Sequence, residues 1–265
     1  MTAKFFYMII SLVAARIKVK KGTQTMQPDI ETLIIYEDLH IIVCHKPAGI
    51  PVQSARVGTV DMASLLKNHL AHAAVKSPGA PRGRDRAPYL AVIHRLDQPV
   101  EGLLVFAKTP AAARDLNRQL TSSGFGKYYR AIVVGVPDPS EGTLEDYMVK
   151  DGRANLSRIC IKETPGAKPA RLHYRVEEID KESQPVTSLV KIKLDTGRHH
   201  QIRVQMAHIG CPLVGDRKYG ACDPEKADKK NVPVHTKSAE PLRLCAYRLA
   251  FKHPATRKNM VFELP

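Results

Sequence analysis

The chain has 265 residues, 43% apolar and 25% charged, which suits a folded domain with a core and excludes a disordered or fibrous protein. Forty-one Lys and Arg stand against 26 Asp and Glu, a net charge of +15 that favours a polyanionic partner, nucleic acid above all, over an acidic small molecule. The five cysteines are scattered with no Cys-x-x-Cys pair, which argues against a zinc site or a disulfide framework and for a reduced, cytoplasmic compartment.

Phe5 to Ala15 is an apolar run too short for a membrane helix, which takes roughly 20 residues. Arg16, Lys18, Lys20 and Lys21 follow it at once, and charge placed there opposes export. Residues 1–26 are therefore expected to be an extension outside the fold, and residues 27–265 a single domain with no membrane association.

Leu33 to Tyr36 and Ile41 to Cys44 read as strands joined by a turn, and Lys46-Pro47-Ala48-Gly49 breaks the second. Val60 to Ala74 has helical spacing, and Lys76 to Pro88 is a basic, proline-rich loop. Tyr89 to His94 and Gly102 to Lys108 are strand-like. Thr109 and Pro110 open a helix that Gly124 ends. Tyr128 to Val134, the alternation of Leu172, Tyr174 and Val176, and that of Val190, Ile192 and Leu194 give further strands. A last helix runs from about His199 to Ile209, with Ile202, Met206 and Ile209 as its apolar stripe, and residues 223–240 form a lysine-rich surface loop. Strands dominate without strand–helix alternation, so the expected class is α+β: a mixed, largely antiparallel central sheet flanked by helices. Neither a Gly-x-Gly-x-x-Gly turn nor a phosphate loop occurs, so no nucleotide cofactor is expected.

Asp97 sits just beyond an apolar strand and close to Arg95. A carboxylate aimed from a strand end beside fixed positive charge meets the needs of a nucleophile, although the same pair would serve as a structural ion pair. The context decides between these. His94 to Lys108, Lys127-Tyr128-Tyr129-Arg130-Ala131, and Gly197-Arg198-His199-His200-Gln201-Ile202-Arg203 followed by Gly210 to Gly220 together resemble the three motifs of the RluA-type pseudouridine synthases, in the family's order. The resemblance extends from about Leu33 to Pro265.

It implies an enzyme that breaks the glycosidic bond of a uridine in ribosomal or transfer RNA, turns the uracil and rejoins it through C5. Asp97 matches the catalytic aspartate, attacking the ribose or assisting loss of a ribose proton. Tyr129 matches the active-site tyrosine and Arg203 the cation paired with the aspartate; Arg95 matches an arginine that displaces the target base. On a strand Tyr128 and Tyr129 face opposite ways, so only one can serve. Arg198, His199 and His200, at a helix start, suit phosphate contact, and we count Arg95, Arg198 and His200 as RNA-binding residues. His94, His199 and His200 lack the spacing of a zinc site, so no metal is expected. The chain departs from the family in carrying Val100-Glu101-Gly102 where relatives often have Thr-Ser-Gly. It also has no room before its first strand for the small RNA-binding module of many relatives. The expected protein is a cofactor-free, monomeric synthase. A non-catalytic RNA-binding relative is the main rival, and a nucleoside or glycoside hydrolase, which would need a second carboxylate, a weaker one.

Overall fold

A computed structural model describes residues 29–76, 87–122, 124–220 and 240–265. The expected extension over residues 1–26, most of the basic loop and nearly all of the lysine-rich loop lie outside them.

In chain order the elements are α1 (Ile30–Leu33), β1 (Ile34–Glu37), β2 (Ile41–Lys46), α2 (Met62–Lys76), β3 (Ala91–Val92), β4 (Glu101–Ala107), α3 (Pro110–Thr121), β5 (Gly126–Val134), β6 (Glu141–Asp151), β7 (Leu156–Cys160), β8 (Lys168–Asp180), β9 (Thr187–Leu194), α4 (Gln201–His208), β10 (Leu244–Lys252) and β11 (Asn259–Glu263). The strands form one sheet in the order β1-β2-β4-β10-β5-β9-β8-β6-β7, with β11 on β10 and β3 on β4. Every pairing is antiparallel except β10 on β4. This is the α+β architecture expected, with a mixed, largely antiparallel sheet.

Local chemistry sets the helix starts. The Thr109 side chain accepts from the Ala112 amide ahead of Pro110, which caps α3. Asp61, buried, accepts from the Ser64 amide at the start of α2 and from the Ser54 amide of the preceding loop. Strand β4 is buried on both faces. Leu104 and Phe106 join a core that includes Leu66 of α2, Tyr129 of β5 and Met206 of α4, while Leu103 and Val105 join Leu116 of α3, Phe125, Leu249 and Phe251 on the other side.

Two expectations change. The strand expected over Tyr89 to His94 is only Ala91–Val92. One edge of β4 is divided: β3 pairs with Phe106 and Ala107, and β10 pairs with Glu101 and Gly102. The chain leaves β4 in the gap between them, where the Val105 amide donates to His94 Nε2 at 3.4 Å. His94 thus fills a break in the ladder. Ile209 lies at the exposed end of α4, 36% accessible, so the buried stripe of that helix runs on from Ile202 and Met206 without it.

Candidate active site

The segment between β3 and β4 carries Asp97, and the turn after β2 holds that segment in place. The Gly49 amide donates to the Gln98 carbonyl at 2.8 Å, and Gln98 Nε2 donates back to the Gly49 carbonyl at 2.9 Å. Lys46, wholly buried, donates from Nζ to the carbonyls of Ile50, Pro47 and Gln98 at 2.7, 2.9 and 3.1 Å. Burial pushes its pKa down to about 8, and the charges of Asp97 and Glu101 pull the other way. Glu101, the departure at the start of β4, lies partly buried. Desolvation raises its pKa, while Lys46 and Arg243 hold it down. The extra carboxylate therefore sits among basic groups beside the Asp97 segment.

Asp97 remains 28% exposed, so its carboxylate meets the surroundings. From α4, Arg203 Nη1 donates to Asp97 Oδ2 at 3.2 Å. The rest of the guanidinium is taken up by Asp216, whose side chain is fully buried: Nε donates to Oδ2 at 2.8 Å and Nη2 to Oδ1 at 2.7 Å. Burial opposes the Arg203 charge, but Asp216 and then Asp97 outweigh it and raise its pKa. A fork held by two planar bonds leaves its remaining arm with one direction, toward Asp97.

Tyr129 and Tyr128 face opposite sides of β5. Tyr129 is buried on the α4 side, and Tyr128 is half-buried beneath the Arg248 guanidinium. Burial raises the Tyr129 pKa, and the negative charge of Asp97 raises it further. The phenol and the carboxylate therefore lie within each other's field, and the phenol is neutral at ordinary pH. Asp97, Tyr129 and Arg203 are brought together from three separate motifs.

The residues expected to bind RNA divide. Arg95 is exposed two residues before Asp97. Arg198 is half-buried, its Nε donating to the Pro169 carbonyl at 2.7 Å. His200 is not on the surface: its side chain is 5% exposed and its Nε2 lies 3.5 Å from Asp97 Oδ2. It takes a left-handed conformation, φ 56°, which turns its ring inward ahead of α4. Burial, with Arg203 and His199 beside it, depresses its pKa to about 2, so the imidazole is neutral. His200 is thus placed beside Asp97 and off the surface where a phosphate contact was expected. His199 stacks on it at 3.7 Å and bonds Ser157 and Asn155.

Lys46, Asp216 and Tyr219 complete the site without having been singled out from sequence. The signal for the last two was present in Gly215 to Gly220, which joins the third motif, but no physical role could be read from it. Among the described residues no group of three or more His, Cys, Asp or Glu side chains is placed to hold a metal, and no helix is long and apolar enough to cross a membrane.

A family profile described as RNA pseudouridylate synthase matches residues 40–208. The chain is 38% identical over 238 residues to the ribosomal large subunit pseudouridine synthase D of Pseudomonas aeruginosa, covering 89% of this chain and 69% of that one. It is 32% identical over 233 residues to the dual-specificity RNA pseudouridine synthase RluA of Salmonella typhimurium, covering 88% and 92%. Against the synthase D of Neisseria meningitidis, 35% identical over 232 residues and 88% of this chain, it spans only 57% of the relative's length. The solved structure of human RNA pseudouridylate synthase domain containing 4 matches with a TM-score of 0.64 at 24% identity, over 98% of this chain and 94% of that one, which bears on fold alone. Motifs, fold and relatives agree: the chain belongs to the RNA pseudouridylate synthase family of isomerases, in its RluA type.

Proposed function

We propose that the chain isomerises uridine in RNA to pseudouridine through Asp97, with ribosomal RNA as its first substrate class and transfer RNA as its second. The observation that carries this reading is the setting of one half-exposed carboxylate: anchored by a buried guanidinium through a single oxygen, and within the field of a buried phenol. Uracil is a poor leaving group, and a carboxylate at C1′ stabilises or traps the positive character that develops on the sugar. Overall the C1′–N1 bond breaks, the C1′–C5 bond forms, the C5 proton leaves and N1 gains one.

Tyr129 packs against the freed ring. While Asp97 is charged the phenol holds its proton. The C5 proton leaves only after C1′ has been joined to C5 and Asp97 is a free carboxylate again, and the Tyr129 hydroxyl beside the ring helps that proton leave. The target nucleotide must leave its stack, at a few kcal/mol. Exposed Arg95 fills the gap left behind, and Arg198 meets the backbone phosphates. The relatives' names support the ribosomal substrate, and the net charge of +15 supports RNA binding in general. In this reading residues 27–265 are one catalytic domain, acting as a cytoplasmic monomer without a nucleotide cofactor.

The test is RNA transcribed with tritium at uridine C5, incubated with the purified chain. Release of tritium to water is expected from the native protein and not from Asp97→Asn, which retains RNA affinity. RNA binding without release from the native chain would establish the non-catalytic rival. Release of free uracil would establish a hydrolase.

A further inference from the structure

We propose that His200 is a positioning residue for Asp97, held by Tyr219 in the Nε2–H tautomer so that its N–H faces the same carboxylate oxygen that Arg203 grips. The other oxygen of Asp97 is thereby left as the one that meets the sugar. The inference rests on Asp97 being the reacting carboxylate, but its central claim about the imidazole can be read without any turnover.

The geometry forms a chain of donors. The Ser157 amide donates to Tyr219 Oη at 2.8 Å, so one lone pair of the phenol is occupied. Tyr219 Oη and His200 Nδ1 are 2.7 Å apart in a buried setting. The phenol proton has Nδ1 as its acceptor there, and a neutral ring that accepts at Nδ1 carries its proton on Nε2. The opposite tautomer would turn a lone pair toward a carboxylate oxygen 3.5 Å away, which is repulsive. At 3.5 Å the contact is longer than an ordinary hydrogen bond, so the N–H acts on Asp97 as an oriented dipole.

Every neighbour of the ring favours the neutral form or fixes its direction. Arg203 of α4 lies beside it, Lys218 and Tyr219 come from the segment after α4, Lys150 from β6, His199 stacks on one face and Asp97 stands at Nε2. The positive charges on three sides oppose an imidazolium. Arg203 Nη1 and His200 Nε2 both address Oδ2 of Asp97, whereas Oδ1 accepts no hydrogen bond among the described residues. One donor on Oδ2 and an N–H dipole facing the same oxygen orient the carboxylate and leave its partner bare. A bare oxygen is the better nucleophile, because its lone pairs need not first be stripped of a donor.

The experiment is two-bond ¹H–¹⁵N correlation of the histidine rings in the ¹⁵N-labelled full chain, with the His200 signals assigned by their loss in His200→Gln. The expected pattern is a single neutral Nε2–H ring, unchanged between pH 5.5 and 8. In Tyr219→Phe the ring should stay Nε2–H, which Asp97 still favours, while the Nδ1 resonance shifts because its donor is gone. A native Nδ1–H ring, an imidazolium at pH 6, or an Nδ1 resonance indifferent to Tyr219→Phe overturns the proposal. A kinetic arm separates positioning from mere packing. His200→Gln, which places an amide N–H near the Nε2 position, should keep single-turnover kcat within about threefold, and His200→Leu should lose about ten- to hundredfold with KM little changed, the worth of one hydrogen bond to a charge. Equal rates for the two variants also overturn it. A native protein that releases no tritium overturns the functional reading, and the spectra still decide the tautomer.

Discussion

Arg203 is bound more completely by Asp216 than by Asp97: two bonds of 2.8 and 2.7 Å to the one, a single bond of 3.2 Å to the other. Asp216 is fully buried and also accepts from the amides of Lys218 and Tyr219. It therefore holds both the cation of the site and the segment that carries Tyr219. Asp216→Ala leaves a guanidinium buried with half its partners gone, and should lower stability by about 3–5 kcal/mol in urea titration. Asp216→Asn should lose less stability and still lose most of kcat, because the fork is no longer held in one orientation.

The two adjacent tyrosines of β5 should behave oppositely. Tyr129→Phe removes a hydroxyl within the field of Asp97 and should lower single-turnover tritium release by about 10²–10⁴-fold, the usual worth of proton transfer by a placed side chain. Tyr128→Phe, on the other face, should change it by less than about threefold. Equal losses would place the wrong ring in the site.

His94 and His200 both contribute to the response to acid. Burial pushes His94 down to about 3 and, with Arg203 beside it, His200 down to about 2. Both folded values lie below the ordinary value near 6.5, so between about 3 and 6.5 the unfolded chain binds the extra protons. Stability is therefore full above about 6.5 and falls as the pH drops, by about 1.4 kcal/mol per pH unit for each histidine. Urea unfolding at pH 7.5 and 5 should show it, and His94→Gln should reduce the slope by about one proton.

Gly102 has φ 132°, and a Cβ there would stand 2.5 Å from the Ala246 carbonyl oxygen. The close approach is where β10 runs parallel to β4. Gly102→Ala combines a backbone conformation hostile to a side chain with a collision against main chain, and should cost at least about 2 kcal/mol in thermal or urea unfolding. Because Glu101 and the Asp97 segment adjoin this crossing, RNA turnover should fall with it.

The sequence disclosed local features well and distant ones poorly. The cap at Thr109, the alternation that separates Tyr128 from Tyr129, and the pairing of Arg203 with Asp97 follow from short-range pattern or from the three motifs. Strands β6, β7, β10 and β11 were not anticipated, although Leu244, Ala246, Tyr247, Leu249 and Phe251 are the buried positions of β10. Strand β10 pairs with β4 and β5, more than a hundred positions away, which leaves no local trace, while β6, β7 and β11 pair with strands close in sequence and lack a clear alternation. His200 was misjudged for a related reason: a histidine at a helix start suggests an anion, and only the left-handed backbone turns its ring inward. Lys46 looked like a strand terminus, since three carbonyls that make its burial tolerable come from a turn and a loop.

The position of β10 has a consequence for how the protein is made. No ladder joins β4 directly to β5; the strand between them is Leu244–Lys252, which the ribosome makes after both. A nascent polypeptide that has passed both Asp97 and Tyr129 still lacks the spacer that sets one beside the other. Competence thus waits on β10, and a product truncated before residue 244 would carry Asp97, Tyr129 and Arg203 without the strand that joins β4 to β5.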